Sequence, residues 1–254
     1  MKRNYIILFL FAITSLLIWY TFRRQATQQC PASDSIIVGT NAEYQPFTFI
    51  KNKEIVGLDI DIAQEVCNRL GKKMILRDMA FTALIPALQI GNVQIAAAGM
   101  TPSPARAQHV FFTQPYLKGD KLLIVNQANN PPLKTVADLN EKKVVVNEGY
   151  VSDAYMSTKK GPELIRLSNP AAGFLALKTG RAQAFVIAAS SAQPFFQKHG
   201  KDQFNVHEIE GTGNEYALAV SKKYDTLHAD IQKVLDAMID DGTIQKIKTK
   251  WGFK

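Results

Sequence analysis

Cysteine is scarce: Cys30 and Cys67 are the only two in 254 residues. That excludes a disulfide framework and a cysteine-based metal cluster as the basis of the fold. Cys30 lies in a polar linker (25–34) and Cys67 in a helical pattern, so they read as an unpaired linker thiol and a small buried one, although export would permit a bridge between them. Histidine is almost as rare, and His109, His199, His207 and His228 have no metal-ligand spacing. No Ser-His-Asp or Cys-His arrangement stands out, which weakens any hydrolase reading. Internal repeats and low-complexity tracts are also missing.

The most local absence is of acid in the first 24 residues, which hold Lys2, Arg3, Arg23 and Arg24. These four account for half of the formal charge of +8; without them 26 basic groups face 22 acidic ones. The remaining lysines are scattered among acids, with no basic stripe interleaved with aromatics, so nucleic acid is not an expected partner. Between the two basic pairs, residues 5–22 form an uncharged apolar run of 18 residues. That length suits a signal sequence or a short membrane-spanning helix. Bulky, charged and amide-bearing residues follow it in place of a small-x-small cleavage site, and Trp19 and Tyr20 sit where an interfacial aromatic belt would lie. Residues 1–24 therefore read as an export segment retained as an inner-membrane anchor, with a cleaved signal as the alternative. Thr27-Gln28-Gln29 before Cys30 is unlike a lipobox.

What remains is an ordinary globular chain, 46% apolar and 20% charged, long enough for one large or two medium domains. It alternates strands and helices. Ser35–Thr40 reads as a strand, 47–50 as an extended segment, and Gly57 to Gly71 encloses a helix with Asp59 and Asp61 in its first turn. These two acids are read as charges favourable to the helix dipole, pointing to different faces. A strand at 74–76, a short helix at 81–88 and a strand at 93–98 follow. After the break at 128–132 come strands at 144–146 and 184–187, a loop at 149–152, a helix starting near Asp153 and another at 171–177. A strand at 216–220 and a terminal helix pair split at Asp241-Gly242 close the chain. The pattern predicts a mainly parallel α/β sheet, whose ligands sit beyond strand carboxyl ends.

One such end is followed by Gly99-Met100-Thr101-Pro102-Ser103-Pro104-Ala105-Arg106. Two prolines force a loop that leads into a helix start, where free N–H groups and the helix dipole favour an anion. Arg106 adds a planar fork matched to a carboxylate.

Several further motifs occur in order: Val38-Gly39-Thr40 with Tyr44-x-Pro46-Phe47; Gly57-x-Asp59-Ile60-Asp61-Ile62-Ala63; and Phe112-Thr113-Gln114-Pro115-Tyr116. Ala176-Leu177-x-x-Gly180-Arg181, Glu215 to Val220, and Asp241-Gly242-Thr243 with Lys250-Trp251 complete the set. With the Gly99 stretch they make residues 35–254 resemble the bacterial extracellular solute-binding proteins of family 3, the polar amino-acid receptors of ABC importers. The resemblance implies a two-lobed periplasmic-binding-protein fold of type II, α/β throughout, with lobe one at 35–119 and 217–254 and lobe two at 120–216. It also implies a ligand cleft closed by hinge bending, a membrane permease as partner, and no cofactor. By position, Arg106 would take the ligand's α-carboxylate, with Gly99, Met100 and Thr101 in the same subsite. Tyr44 and Phe81 would enclose its side chain, Asn41 would touch the polar end, and Gly149, Val151 and Ser152 would complete the carboxylate site.

One position departs from the pattern. Relatives usually carry an acid eight residues after the glycine matching Gly180, where it pairs with the α-ammonium; this chain has Ala188. Glu43, Glu215 or a serine would have to substitute, or the ligand is not an ordinary α-amino acid. Two alternatives to a transport receptor share the fold: a cyclohexadienyl-dehydratase-like enzyme and a membrane-tethered ligand sensor.

Overall fold

The computed structural model describes residues 34–253; the expected N-terminal apolar helix and Cys30 lie outside them. Two five-stranded sheets dominate. The first runs Lys73–Asp78, Ser35–Thr40, Ile95–Ala96, Ala219–Ser221, Val110–Phe112. The second runs Glu163–Leu167, Lys143–Asn147, Ala184–Ala188, Leu122–Gln127, Phe204–Glu208. The two share a plan: the first three strands are parallel and the fourth is antiparallel to both of its neighbours. Four of five strands in each sheet thus point the same way, as the strand–helix alternation predicts. The inner strands read as continuous apolar runs because helices cover both faces; Val144, Val145 and Val146 are fully buried.

The chain leaves the first sheet through Leu117–Asp120 and returns through Asn214–Tyr216. These two strands pair antiparallel as a ribbon of their own. Beyond it the last helices, Asp225–Asp240 and Thr243–Lys250, pack back on helix Leu58–Arg69. Gly242 separates them at φ +78°, a left-handed conformation that suits glycine. Asp61 fastens this end of the chain by accepting from Trp251 Nε1 (2.7 Å) and Lys250 Nζ (2.6 Å).

Several elements differ from expectation. The 41–56 region is a three-stranded antiparallel meander (Glu43–Tyr44, Thr48–Lys51, Glu54–Val56) rather than a loop and one extended segment. The 93–98 run forms a ladder only at Ile95–Ala96. Gln94 is tied to Ile37 through both its main chain (2.9 Å) and its side chain (2.7 Å). Tyr216 and Val220 belong to separate strands, one in the ribbon and one in the first sheet. Helix Ala189–His199, with Pro194 inside it, is absent from the expected elements; it follows strand Ala184–Ala188 directly, with no turn residue between them to mark its start. Cys67 is a buried free thiol, as expected.

Candidate functional site

The expected site residues converge because most of them leave the carboxyl ends of parallel strands. Asn41 follows Ser35–Thr40, Phe81 follows Lys73–Asp78, Gly99 follows Ile95–Ala96, Gly149 follows Lys143–Asn147, and Ala188 ends its strand.

The Gly99–Arg106 loop is held from below. Gly99 donates its N–H to the Asp59 carboxylate at 2.6 Å, and the other oxygen of Asp59 accepts the Tyr116 hydroxyl at 2.7 Å. Asp59 is thus a fully buried anchor of the loop, a more specific role than a charge at a helix end. Burial pushes its carboxyl up to about 7, against the opposing pull of these donors. Gly99 has φ +60°, and a Cβ there would come within 2.9 Å of the Tyr44 ring. Met100 is fully buried, and its carbonyl accepts from Ala217 N–H (3.1 Å).

Ser103 caps the short helix Pro104–Ala107 by accepting the Arg106 N–H at 3.2 Å, which fixes the arginine's direction. Its guanidinium donates from Nη1 to the Thr101 carbonyl (2.7 Å) and from Nη2 to the Gly149 carbonyl (2.5 Å). It also lies 5.4 Å from the centre of the Phe81 ring. Desolvation lowers its pKa from the ordinary arginine value. Arg106 therefore links a loop of the first sheet to a loop of the second.

Gly149 turns the second loop at φ +76°, and its N–H is accepted by Asp153 Oδ2 (3.0 Å). That bond lets the next helix begin at Val151. Val151 and Ser152, expected in the loop, stand in the first turn of helix Val151–Met156, with Ser152 buried. Tyr150 lies between. Its ring stacks on Phe81 (centroids 3.9 Å apart, 20° between planes) and lies 4.3 Å from Tyr44. Its hydroxyl donates to Asn41 Oδ1 at 2.8 Å, while Asn41 Nδ2 donates to the Met79 carbonyl (3.1 Å).

Comparison with known proteins decides the family. Residues 36–254 match the family model for bacterial extracellular solute-binding proteins, family 3. The chain belongs to this family. Among its relatives, the arginine-binding extracellular protein ArtP of Bacillus subtilis (strain 168) is 28% identical over 85% of each chain. An ancestral arginine-binding protein solved with arginine bound is 33% identical, with a TM-score of 0.81 over 86% of this chain and 98% of its own. An ancestral amino acid-binding protein described as a precursor of cyclohexadienyl dehydratase is 31% identical, with a TM-score of 0.78 over 87% and 96%. The two-lobed periplasmic-binding-protein fold is that of these neighbours. The relatives are named as binding proteins rather than enzymes. Among the described residues, no group of His, Cys, Asp and Glu could hold a metal ion.

Ala188, where the family resemblance leads one to expect an acid, carries no charge. Ala188 is buried at the start of helix Ala189–His199, opposite Leu122 of the neighbouring strand. Of the proposed substitutes, Glu43 and Glu215 are exposed, and Glu215 faces Lys118 at 3.8 Å. Ser191 is buried, with its hydroxyl in no hydrogen bond. The carboxylate that the fold does bring to this corner is Asp120, at the end of the ribbon. It accepts from Ser190 N–H (3.1 Å), Ser190 Oγ (2.6 Å) and the Tyr216 hydroxyl (2.7 Å). Burial raises its pKa despite those donors. Sequence reasoning missed both Asp120 and Tyr150. The only signal for Asp120 was an acid beside a strand start; Tyr150 stood inside a loop already singled out, as its one bulky aromatic.

Proposed function

We propose that this chain is the extracytoplasmic receptor of an ABC importer that takes a small α-amino acid. Family membership supports the class, and the position of Arg106 carries the chemistry. A desolvated guanidinium, aimed by a capped helix at a convergence of strand ends, suits a carboxylate that can accept two parallel N–H bonds. Asn41, Tyr44, Phe81, Gly99, Met100, Thr101, Gly149, Val151, Ser152 and Ala188 form the rest of the proposed site. In this reading lobe one comprises 35–119 and 217–254 and lobe two 120–216, with the Leu117–Asp120/Asn214–Tyr216 ribbon as the hinge. Asp120, at the corner where Ala188 lacks a charge, is the proposed partner of the ammonium. A membrane permease would receive the ligand. Residues 5–22 would tether the receptor to the inner membrane; N-terminal sequencing of the exported protein tests this, since a start between 25 and 34 replaces the tether with a cleaved signal.

A ligand that binds the folded chain raises its Tm by mass action. A thermal-shift screen against amino acids, organic acids and small peptides should therefore give its strongest hits among α-amino acids. Hits confined to compounds without a carboxylate would overturn the reading. The dehydratase-related neighbour motivates one further control: reproducible turnover of prephenate or arogenate by the repurified chain would make it an enzyme.

A further inference from the structure

Four residues of the proposed site, Arg106, Phe81, Tyr44 and Asn41, are already in contact with two consecutive residues of the chain itself, Gly149 and Tyr150. The Gly149 carbonyl accepts from Nη2 of Arg106, the Tyr150 ring lies against Phe81 and Tyr44, and the Tyr150 hydroxyl donates to Asn41 Oδ1. A carbonyl oxygen, an aromatic body and a polar tip are thus arranged much as the carboxylate, side chain and polar end of a bound amino acid would be. Tyr150 is only 3% exposed and joins the core cluster of the first sheet, although its main chain leaves a strand of the second. A smaller residue at this position could not reach across.

We propose that Tyr150 is a specificity-determining residue that fills the ligand's side-chain slot, so that a ligand with a long side chain must displace it. The proposal rests on the amino-acid-receptor reading above. Glycine, which lacks a side chain, needs only the Gly149 carbonyl to leave Arg106. Arginine needs the Tyr150 ring to leave both aromatics and its hydroxyl to leave Asn41. Two ring contacts and one hydrogen bond resist that exchange, so Tyr150 selects against long side chains through a prior equilibrium.

The test is calorimetry on the full-length chain with L-arginine and glycine as probes, using Tyr150→Ser, Tyr150→Phe and Arg106→Ala. Tyr150→Ser should tighten arginine by about tenfold or more and glycine by less than about threefold. Tyr150→Phe, which loses only the Asn41 bond, should give a smaller gain for arginine. An equal change for both probes, or weaker arginine binding in Tyr150→Ser, overturns the proposal. If Arg106→Ala abolishes binding while Tyr150→Ser leaves the arginine-to-glycine ratio unchanged, the receptor reading stands and the role of Tyr150 falls. Small-angle scattering in buffer without amino acids supplies a readout independent of ligand identity. The wild-type chain should be compact and Tyr150→Ser expanded, whereas equal radii sink the proposal even if neither probe binds.

Discussion

The main-chain N–H of Gly99 and the carboxylate of Asp59 are joined by a 2.6 Å hydrogen bond, 40 residues apart in sequence, between the Arg106-bearing loop and the first turn of a buried helix. Because Asp59 is wholly buried, it holds its proton to about pH 7 in the folded chain. In the unfolded chain it ionises near pH 4. Between those values the folded form binds more protons, so this contribution to stability is fully present below about pH 4, is lost as pH rises, and levels off above about pH 7. Asp59→Asn keeps an acceptor for Gly99 and gives Tyr116 a donor. Urea denaturation across pH should show a flatter profile for the variant, and at about pH 8 the variant should be more stable by roughly 1–4 kcal/mol. Parallel wild-type and variant profiles would contradict the assignment.

Gly99→Ala should be costly twice over, through the positive φ and through a Cβ 2.9 Å from Tyr44 Cδ1 and 3.1 Å from Phe47 Cγ. We expect a loss of roughly 1–3 kcal/mol in denaturant titration. Gly71→Ala is the control: its φ is +64° but nothing lies within 4 Å, so only the conformational cost of about 1 kcal/mol should remain.

Arg106→Ala removes the fork and strands a carboxylate in a partly dry cleft. Hydrogen bonds to charged groups contribute about 1.5–3 kcal/mol, so calorimetry with the best screening hit should show weakening of roughly 10- to 150-fold or more. Arg106→Lys keeps the charge but loses bidentate geometry and should fall between wild type and alanine. Unchanged affinity in the alanine variant would remove the proposed site.

Ala188→Asp places a carboxylate at a buried position beside the Asp120 corner. Two neighbouring carboxylates destabilise one another, so Tm should drop without ligand. An α-amino acid brings the missing positive charge, and the ligand-induced rise in Tm should exceed that of the wild type. A smaller rise would mean that the ligand carries no ammonium at this corner.

Burial pushes the Cys67 thiol up to about 11. In a Cys30→Ser background the folded chain should stay unlabelled by a thiol reagent at about pH 8, with labelling tracking global unfolding. Rapid labelling under native conditions would show that helix Leu58–Arg69 opens locally.

The sequence made the sheets and the loop leading into helix Pro104–Ala107 readable because both leave local marks. Val144 to Val146 is a continuous apolar run, and Pro102, Pro104 and Arg106 identify a helix start. Asp59 was seen as a local helix charge because its partners, Gly99 and Tyr116, lie 40 and 57 residues away. Tyr150 escaped for a similar reason: its partners Asn41, Tyr44 and Phe81 lie 109, 106 and 69 residues away. Asp120 differs again, since its placement beside Ser190 depends on the antiparallel register of Leu122 with Ala188. The short ladders at Glu43–Tyr44 and Asn214–Tyr216 hold too few residues for periodicity to mark them.

The strand Ala219–Ser221 sits between Ile95–Ala96 and Val110–Phe112, whereas the second sheet uses only residues 122–208. During synthesis Val110–Phe112 has no ladder neighbour until nearly the whole chain has emerged, while every strand of the second sheet is available earlier. The N-terminal third of the chain is thus made first but can finish folding only last. The order of assembly runs from the interior of the sequence outward, and a truncation before residue 219 should keep the second sheet while leaving the first one open.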